Sequence, residues 1–452
     1  MAGPRDRLTA PPGAAPRAEY LHHRIDEVLE FAAGQLRHLD DYAAHWHDDP
    51  GEMVRKEDKV AIETAMLLLV TGRIPGHRDG EAWRRLVDEC VRRCRGGRVR
   101  CVIARHPRTV SSLGLGHLFL SALGCPDEDL DHLLENAVGT GQVGIEEHVP
   151  FRRLEFEWAR RGAARPAFAE SGRAASKWRP EVSAIASDRD GLYATREDCY
   201  ALTHTLMYAT DFGVAGIPGI DAERLRSSIG STICFALAID DFDLLGELLL
   251  ADAVLPGHAS AAARCGWAVR TRVLDDRGAL PGPTFRDAEL AKQEPAGRAG
   301  YRFYHSYHTT YVDALLCAAV LSRRHHWFAP EPADGPRADE PQADEPQADD
   351  RRIRRIAGLA WPGGPRSGAA AALLDLCTRS IVPGARLGPL AETAIIEVVR
   401  RYDLVALRRI LQEVRGSSIA ESRSIAVATR FLANQTALAT CLESPVTPRS
   451  KP

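Results

Sequence analysis

Histidine, tyrosine and aspartate recur at helical spacing in CYALTHTLMYATDFG, residues 199–213. At 100° per residue, Tyr200, His204, Tyr208 and Asp211 form one narrow stripe on an otherwise apolar helix. A helix that faces a cavity would present such a stripe, and so would a buried histidine with two hydrogen-bonded tyrosines. In the first case His204 is the predicted general acid or base, because imidazole titrates near neutral pH. Tyr208 and Asp211 complete the predicted catalytic set.

Asp211 is predicted to lie in the last turn of this helix, because Gly213 is a residue type that commonly follows a helix end. Negative charge there opposes the helix dipole by about 1 kcal/mol or less. The acid therefore needs a partner, which an arginine, a backbone amide or a ligand could provide. Two helical turns separate Asp211 from His204, and their side chains lean the same way, so we do not expect the two to share a metal ion.

A second set of histidines and tyrosines lies in YRFYHSYHTTYVDALLCA, residues 301–318. His305 and His308 are three residues apart in a predicted helix over 305–322, close enough to chelate one divalent metal ion. Two histidines packed beside tyrosines would give the same pattern. We predict that Tyr304 and His308, together with Tyr200, bind substrate.

The acidic segment LAIDDFDLLGELLLAD contains Asp240, Asp241, Asp243 and Glu247. It suggests the Mg²⁺ motifs of isoprenoid diphosphate enzymes, so a Mg-dependent isoprenoid cyclase is a distant alternative. Here, however, the acids open a helix, and Asp241 is well placed as its N-cap. Capping is therefore the favoured interpretation.

Composition and missing motifs exclude several protein classes. A formal net charge of −3 argues against a broad nucleic-acid surface, and no apolar run approaches the roughly 20 residues of a membrane span. The sequence has no CxxC pair, P-loop, GxSxG or HExxH motif. The first residues lack the apolar stretch of a secretory signal, so a cytoplasmic protein is expected. The sequence does not reveal an oligomeric state.

Helical periodicity recurs throughout the chain, while alternating strand patterns are missing. This predicts an all-α fold in which helical hairpins build an α/α toroid or a curved solenoid. The expected parts are a disordered arm (1–18), an N-terminal helical part (19–160), an irregular connection (161–191), a second helical part (192–325), an acidic low-complexity insertion (326–352), C-terminal helices (353–441) and a tail (442–452).

The segments YALTHTLMYATDFG, DFDLLGELLL and YHTTYVDALL, with weaker support from VPFRRLEFEWA, resemble an all-helical family of actinobacterial proteins of unassigned function. The resemblance spans residues 20 to 322 and is carried mainly by the THxxxYxTDFG motif. It implies a bacterial cytoplasmic protein, often encoded beside genes for specialised metabolites or modified peptides. It supplies no catalytic residues.

Together these observations predict an enzyme of bacterial specialised metabolism that acts on a small molecule or modified peptide in an α/α cavity. The alternative is a non-catalytic helical scaffold that binds a peptide or partner protein. The two differ in whether His204 and His308 share one cavity.

Overall fold

The computed structural model describes residues 16–43, 46, 52–143, 149–163, 180–328, 345–365, 367–379, 386–420 and 422–443. Twenty α-helices and three short 3₁₀ turns occupy these ranges, and no β-strand occurs in them. The prediction of an all-α fold is confirmed. None of the helices within these ranges is long and apolar enough to cross a membrane.

The helices are numbered in chain order. They are α1 (Ala18–Leu36), α2 (Leu39–Ala43), α3 (Lys56–Thr71), α4 (Glu81–Cys94), α5 (Gly97–Arg105), α6 (Val110–Ala122), α7 (Glu128–Gly139), α8 (Pro150–Gly162), α9 (Arg196–Ala209), α10 (Ala222–Ala238), α11 (Phe242–Ala253), α12 (Ala261–Arg277), α13 (Asp287–Lys292), α14 (Pro295–Tyr304), α15 (Tyr307–Trp327), α16 (Glu345–Ala360), α17 (Gly368–Thr378), α18 (Leu387–Arg400), α19 (Leu404–Glu413) and α20 (Arg423–Glu443).

Six of these helices pack in a closed sequence. In chain order α3, α6, α8, α9, α11 and α15 each pack against the next, and α15 packs back against α3. Helices α3 and α9 lie opposite each other in this ring, yet the Tyr208 hydroxyl of α9 lies 4.0 Å from the Met66 sulfur of α3. Side chains from opposite helices therefore meet inside the ring. This arrangement is compatible with a toroid.

A second layer of helices covers the ring from outside. Helix α1 packs on α15 and α4, α4 packs on α3 and α6, and α10 packs on α11. The C-terminal helices α17 and α18 pack on the outer helices α10 and α12, and α16 packs on α17, α18 and α19. The segment after the acidic repeat therefore adds to the outer layer.

Helix α11 shows why the ring is stable. Every residue from Phe242 to Ala253 is buried, so this helix lies in the core on all sides. Each fully buried leucine contributes about 1.5–3 kcal/mol of transfer free energy. As predicted, Asp241 is the N-cap: its Oδ1 accepts a hydrogen bond from the Leu244 amide at 3.1 Å.

The structure departs from several predicted boundaries. Helix α15 begins at Tyr307 and reaches Trp327, and α16 begins at Glu345, inside the segment expected to be a low-complexity insertion. Helix α9 ends at Ala209, so Asp211 follows the helix instead of lying in its last turn. Asp211 has a positive φ of 50°, which is incompatible with a continuing α-helix. Residues 1–15 of the arm, 164–179 of the connection, 329–344 of the insertion and 444–452 of the tail lie outside the described residues.

Candidate functional site

Two carboxylates project from one face of α11. Asp243 and Glu247 are one helical turn apart, and their side chains are only 4% and 1% exposed. The neighbouring acids play other roles: Asp240 accepts a hydrogen bond from the Ala369 amide at 2.8 Å, and Asp241 pairs with Arg196 at 2.8 Å. The acidic segment is therefore divided between helix capping and a second, inward-facing pair.

His308 in the first turn of α15 joins these acids to a third carboxylate. Its Nε2 lies 3.3 Å from Glu247 Oε1 and 3.9 Å from Asp243 Oδ2. Its Nδ1 lies 3.0 Å from Oε2 of Glu63 on α3. The imidazole thus bridges carboxylates from two other helices of the ring. With His204, described below, these residues (Glu63, His204, Asp243, Glu247 and His308) are called the polar centre.

Hydroxyl groups hold the two α11 carboxylates in place. Tyr200 donates to Asp243 Oδ2 at 3.1 Å, and Thr309 donates to Asp243 Oδ1 at 2.9 Å. Thr203 donates to Glu247 Oε2 at 2.6 Å. Each carboxylate therefore has an outer partner that fixes its orientation, as is common around metal ligands.

His204 completes the polar centre from α9. Its Nδ1 lies 2.9 Å from the Tyr200 carbonyl oxygen and 3.5 Å from Glu247 Oε2. A carbonyl oxygen only accepts, so Nδ1 carries the proton in this contact. In neutral His204, Nε2 is then the nitrogen with a lone pair. The ring packs beside Phe151 of α8 in a tilted arrangement, with centroids 4.9 Å apart.

The charges of the polar centre influence one another strongly. Burial disfavours the ionised form of Glu63, but the charge and hydrogen bond of His308 offset it and lower the pKa of Glu63 to about 2. Burial also disfavours imidazolium, yet Asp243 and Glu63 raise the pKa of His308 well above its ordinary value. Burial, reinforced by the charge of Glu247, raises the pKa of Asp243. His308 therefore carries a positive charge among acids.

The polar centre is partly accessible to solvent. Of the side-chain surface, 33% is accessible in His308, 16% in Glu63 and 16% in His204. The space over this accessible surface is called the recess. A small molecule could therefore reach His308.

Asp243, Glu247 and His308 also form a possible metal site. One ligand atom from each lies within 4.8 Å of the others, and this is the one such group found among the described residues. Two carboxylate oxygens and one imidazole nitrogen suit Mn²⁺, Fe²⁺ or Zn²⁺. If Nε2 of His308 bound the ion, Nδ1–H would donate to Glu63, which is the usual outer partner of a metal-bound histidine.

The structure places the predicted residues in different surroundings. Tyr200, His204 and His308 meet in the polar centre, and Tyr208 lies next to it, donating to Glu155 Oε1 at 2.7 Å. Asp211 lies outside it. Of the three kinds of partner left open for Asp211, the structure shows an arginine: Arg73 Nη2 lies 2.7 Å from Asp211 Oδ1, and the Trp158 indole donates to the same oxygen at 2.6 Å.

The predicted chelation by His305 and His308 does not fit the observed helices. His305 follows the end of α14, whereas His308 belongs to α15, so the two do not share a helical face. The Nδ1 atom of His305 lies 2.7 Å from the Thr284 hydroxyl oxygen. Tyr304 packs on Trp46, with ring centroids 4.8 Å apart. His308 has carboxylates in place of the expected histidine partner.

The sequence did not identify Glu63 as a site residue, and it indicated Asp243 and Glu247 only through the distant Mg²⁺-motif alternative, for which helix capping was the favoured interpretation. The available signal was a charged residue inside an apolar helix. Asp243 and Glu247 lie in the apolar segment DLLGELLLAD, and Glu63 lies in KVAIETAMLLLV. A lone acid in such a helix needs a buried partner. The sequence does not indicate which distant residue that partner is.

Comparison with known proteins gives one family and no named relative. No curated protein and no solved structure matches the chain. A family model matches residues 25–318, which include the whole polar centre from Glu63 to His308. The chain therefore belongs to the family described as Domain of unknown function (DUF6895).

Proposed function

We propose that this protein is an enzyme that uses a divalent metal ion, held by Asp243, Glu247 and His308, to act on a small molecule or a modified peptide. The observation that carries the proposal is the position of His308. Its Nε2 faces the two α11 carboxylates while its Nδ1 faces Glu63. This is the arrangement of ligand and outer carboxylate seen around metal-bound histidines.

Three protein ligands would leave coordination positions for water and substrate, as in catalytic metal sites. An ion in such a site polarises a carbonyl or phosphoryl oxygen and lowers the pKa of bound water. His204 lies beside the same carboxylates with its Nε2 as the basic nitrogen. It is suited to move a proton to or from a substrate in the recess, which supports its predicted role as general acid or base.

The proposed setting is the cytoplasm of an actinobacterium, in specialised metabolism. This part of the proposal rests on the THxxxYxTDFG segment and its resemblance alone. A scaffold without catalysis would not require buried carboxylates around an accessible histidine, because burying uncompensated charge costs stability. The cyclase alternative loses support because Asp240 and Asp241 are engaged in caps and an ion pair.

Metal binding by the purified protein tests the proposal. Protein stripped with a chelator should take up close to one equivalent of Mn²⁺, Fe²⁺ or Zn²⁺, measured by calorimetry and elemental analysis. His308→Ala and Asp243→Asn should abolish this uptake. Glu63→Gln should weaken it by about ten- to a hundredfold, because an outer carboxylate is removed.

His305→Ala is the matched control. It removes a nearby imidazole that contacts Thr284 outside the polar centre, so uptake should be unchanged. Wild-type protein that binds none of the three ions, or a loss in His305→Ala equal to that in His308→Ala, would contradict the proposal.

A further inference from the structure

An arginine lies one aromatic ring away from His204. Arg152 belongs to the first turn of α8, and 54% of its side chain is accessible. Its guanidinium carbon lies 5.4 Å from the centroid of the Phe151 ring, and that centroid lies 4.9 Å from the centroid of the His204 ring. The charge of Glu63 also acts on Arg152. The guanidinium is therefore close to the polar centre and accessible to solvent.

Two buried residues hold this guanidinium in position. The Nη1 atom of Arg152 donates to Glu155 Oε2 at 2.9 Å. The other oxygen of Glu155, Oε1, accepts from the Tyr208 hydroxyl at 2.7 Å. Glu155 is 7% exposed and Tyr208 is 2% exposed. A guanidinium has five N–H donors in a fixed plane, so one bond to Glu155 leaves others to bind a ligand.

The charges of the recess permit an anionic ligand once a metal ion is bound. Glu63, Glu155, Asp243 and Glu247 contribute negative charge, and Arg152 contributes positive charge. Lys59 adds a second positive charge, with its Nζ 3.7 Å from Glu63 Oε1. A divalent ion would then balance the carboxylates, because a metal-bound His308 is neutral. An oxyanion would meet no net repulsion.

We propose that Arg152 is the binding site for an oxyanion of the substrate, a carboxylate or a phosphate, and that Glu155 and Tyr208 position it. The planar guanidinium binds such groups through two parallel hydrogen bonds. The reacting group of the same substrate would then reach His204 and the metal site. This inference rests on the proposed metal-dependent function, and it names the substrate class as anionic.

Binding of simple anions tests this inference. Inorganic phosphate and succinate are titrated separately into the full-length protein, with and without Mn²⁺, and the heat of binding is measured. Wild-type protein should bind at least one of them, more tightly with Mn²⁺. Arg152→Gln should weaken that binding by about tenfold or more, because charged hydrogen bonds are lost. Phosphate binding alone would indicate phosphorylated substrates, and succinate binding alone would indicate carboxylates.

Arg153→Gln is the matched control, because it removes the neighbouring exposed arginine. It should leave anion binding unchanged, and Arg152→Gln should leave Mn²⁺ uptake unchanged. Mn²⁺ uptake without any effect of Arg152→Gln on anion binding, or with no anion binding, would overturn the oxyanion site alone. Anion binding that depends on Arg152 in a protein that takes up no metal would overturn the metal proposal alone.

Discussion

Helix α15 contributes to two clusters of charged side chains, and they differ in how the charge is matched. At His308, three carboxylates surround the imidazole, and the described residues in contact with those carboxylates include no arginine. At Asp313, little more than one turn later, a single carboxylate meets two arginines. Arg24 Nη2 lies 2.6 Å from Asp313 Oδ2, and Arg270 pairs with Oδ1.

The two clusters also differ in how accessible their central side chains are to solvent. Asp313 and Arg270 are each 1% exposed, whereas His308 is 33% exposed. An arginine stays charged at every physiological pH and offers a rigid fork, so it suits a permanent pair. A histidine can lose its proton and bind a metal ion or substrate. The comparison indicates that an arginine-matched cluster with a buried Asp313–Arg270 pair stabilises the fold, whereas a cluster with excess carboxylate and an accessible histidine forms a site.

Asp313→Ala is expected to have the largest effect on stability. It leaves Arg270 buried without its carboxylate, and loss of one partner from a buried ion pair costs about 3–5 kcal/mol. Urea denaturation should show this loss in the free energy of unfolding. Protein that remains folded should still take up metal, because Asp313 does not contact the polar centre.

Asp243→Asn provides the matched change within the polar centre. The amide oxygen can still accept from Tyr200 or Thr309, and the like charge beside Glu247 is removed. The free energy of unfolding without metal should therefore stay within about 1 kcal/mol of wild type. A loss as large as that of Asp313→Ala would show that the two clusters have the same structural role.

The sequence was sufficient to predict those features of the polar centre that depend on residues close together in the chain. Helical periodicity gave the all-α fold and placed Tyr200 and His204 on one stripe, because these properties depend on neighbours within a few residues. Asp243 was attributed to capping because Asp241, two residues earlier, has the stronger local signal.

The carboxylate partners could not be predicted because they depend on long-range packing. His308 meets Glu63 across 245 residues and Glu247 across 61 residues of chain. The same limit applies to Asp211. Local spacing indicated that it needs a partner, but only the folded structure shows that the partners are Arg73, just after α3, and Trp158 of α8.

Another buried carboxylate, Asp252 near the end of α11, tests whether a nearby arginine is enough to stabilise the ionised form. Its Oδ1 accepts from the Trp327 indole at 2.6 Å, but Arg226 Nε lies 3.9 Å from Oδ2. Burial raises the pKa of Asp252 from 3.8 to about 6. Because the folded-state value is the higher one, this residue makes the protein less stable as pH rises from about 4 to about 6, with no further change above that.

Asp252→Asn should therefore stabilise the protein at pH 8 by roughly 1–3 kcal/mol, because the variant cannot ionise. The gain should be clearly smaller at pH 4.5, where the wild-type side chain is protonated when folded. Urea midpoints of both proteins at the two pH values measure the difference. An equal gain at both values would show that packing, and not charge, is responsible.

Asp211→Asn is expected to have a small effect on stability, and it tests whether this residue has a structural role or also a role in ligand binding. Asp211 has a φ of 50°, a backbone conformation that asparagine also tolerates, and its Oδ1 bonds to Arg73 and Trp158. Asparagine keeps an oxygen for the indole but loses the charge that pairs with a part-exposed arginine. The expected loss is about 0.5–1 kcal/mol of unfolding free energy, and Arg73→Met should give a similar loss. If metal uptake or binding of phosphate and succinate also falls in Asp211→Asn but not in Arg73→Met, then Asp211 contributes to ligand binding at the polar centre. Unchanged binding in both variants would show that the acid after α9 only joins that helix to α8 and to the segment that follows α3.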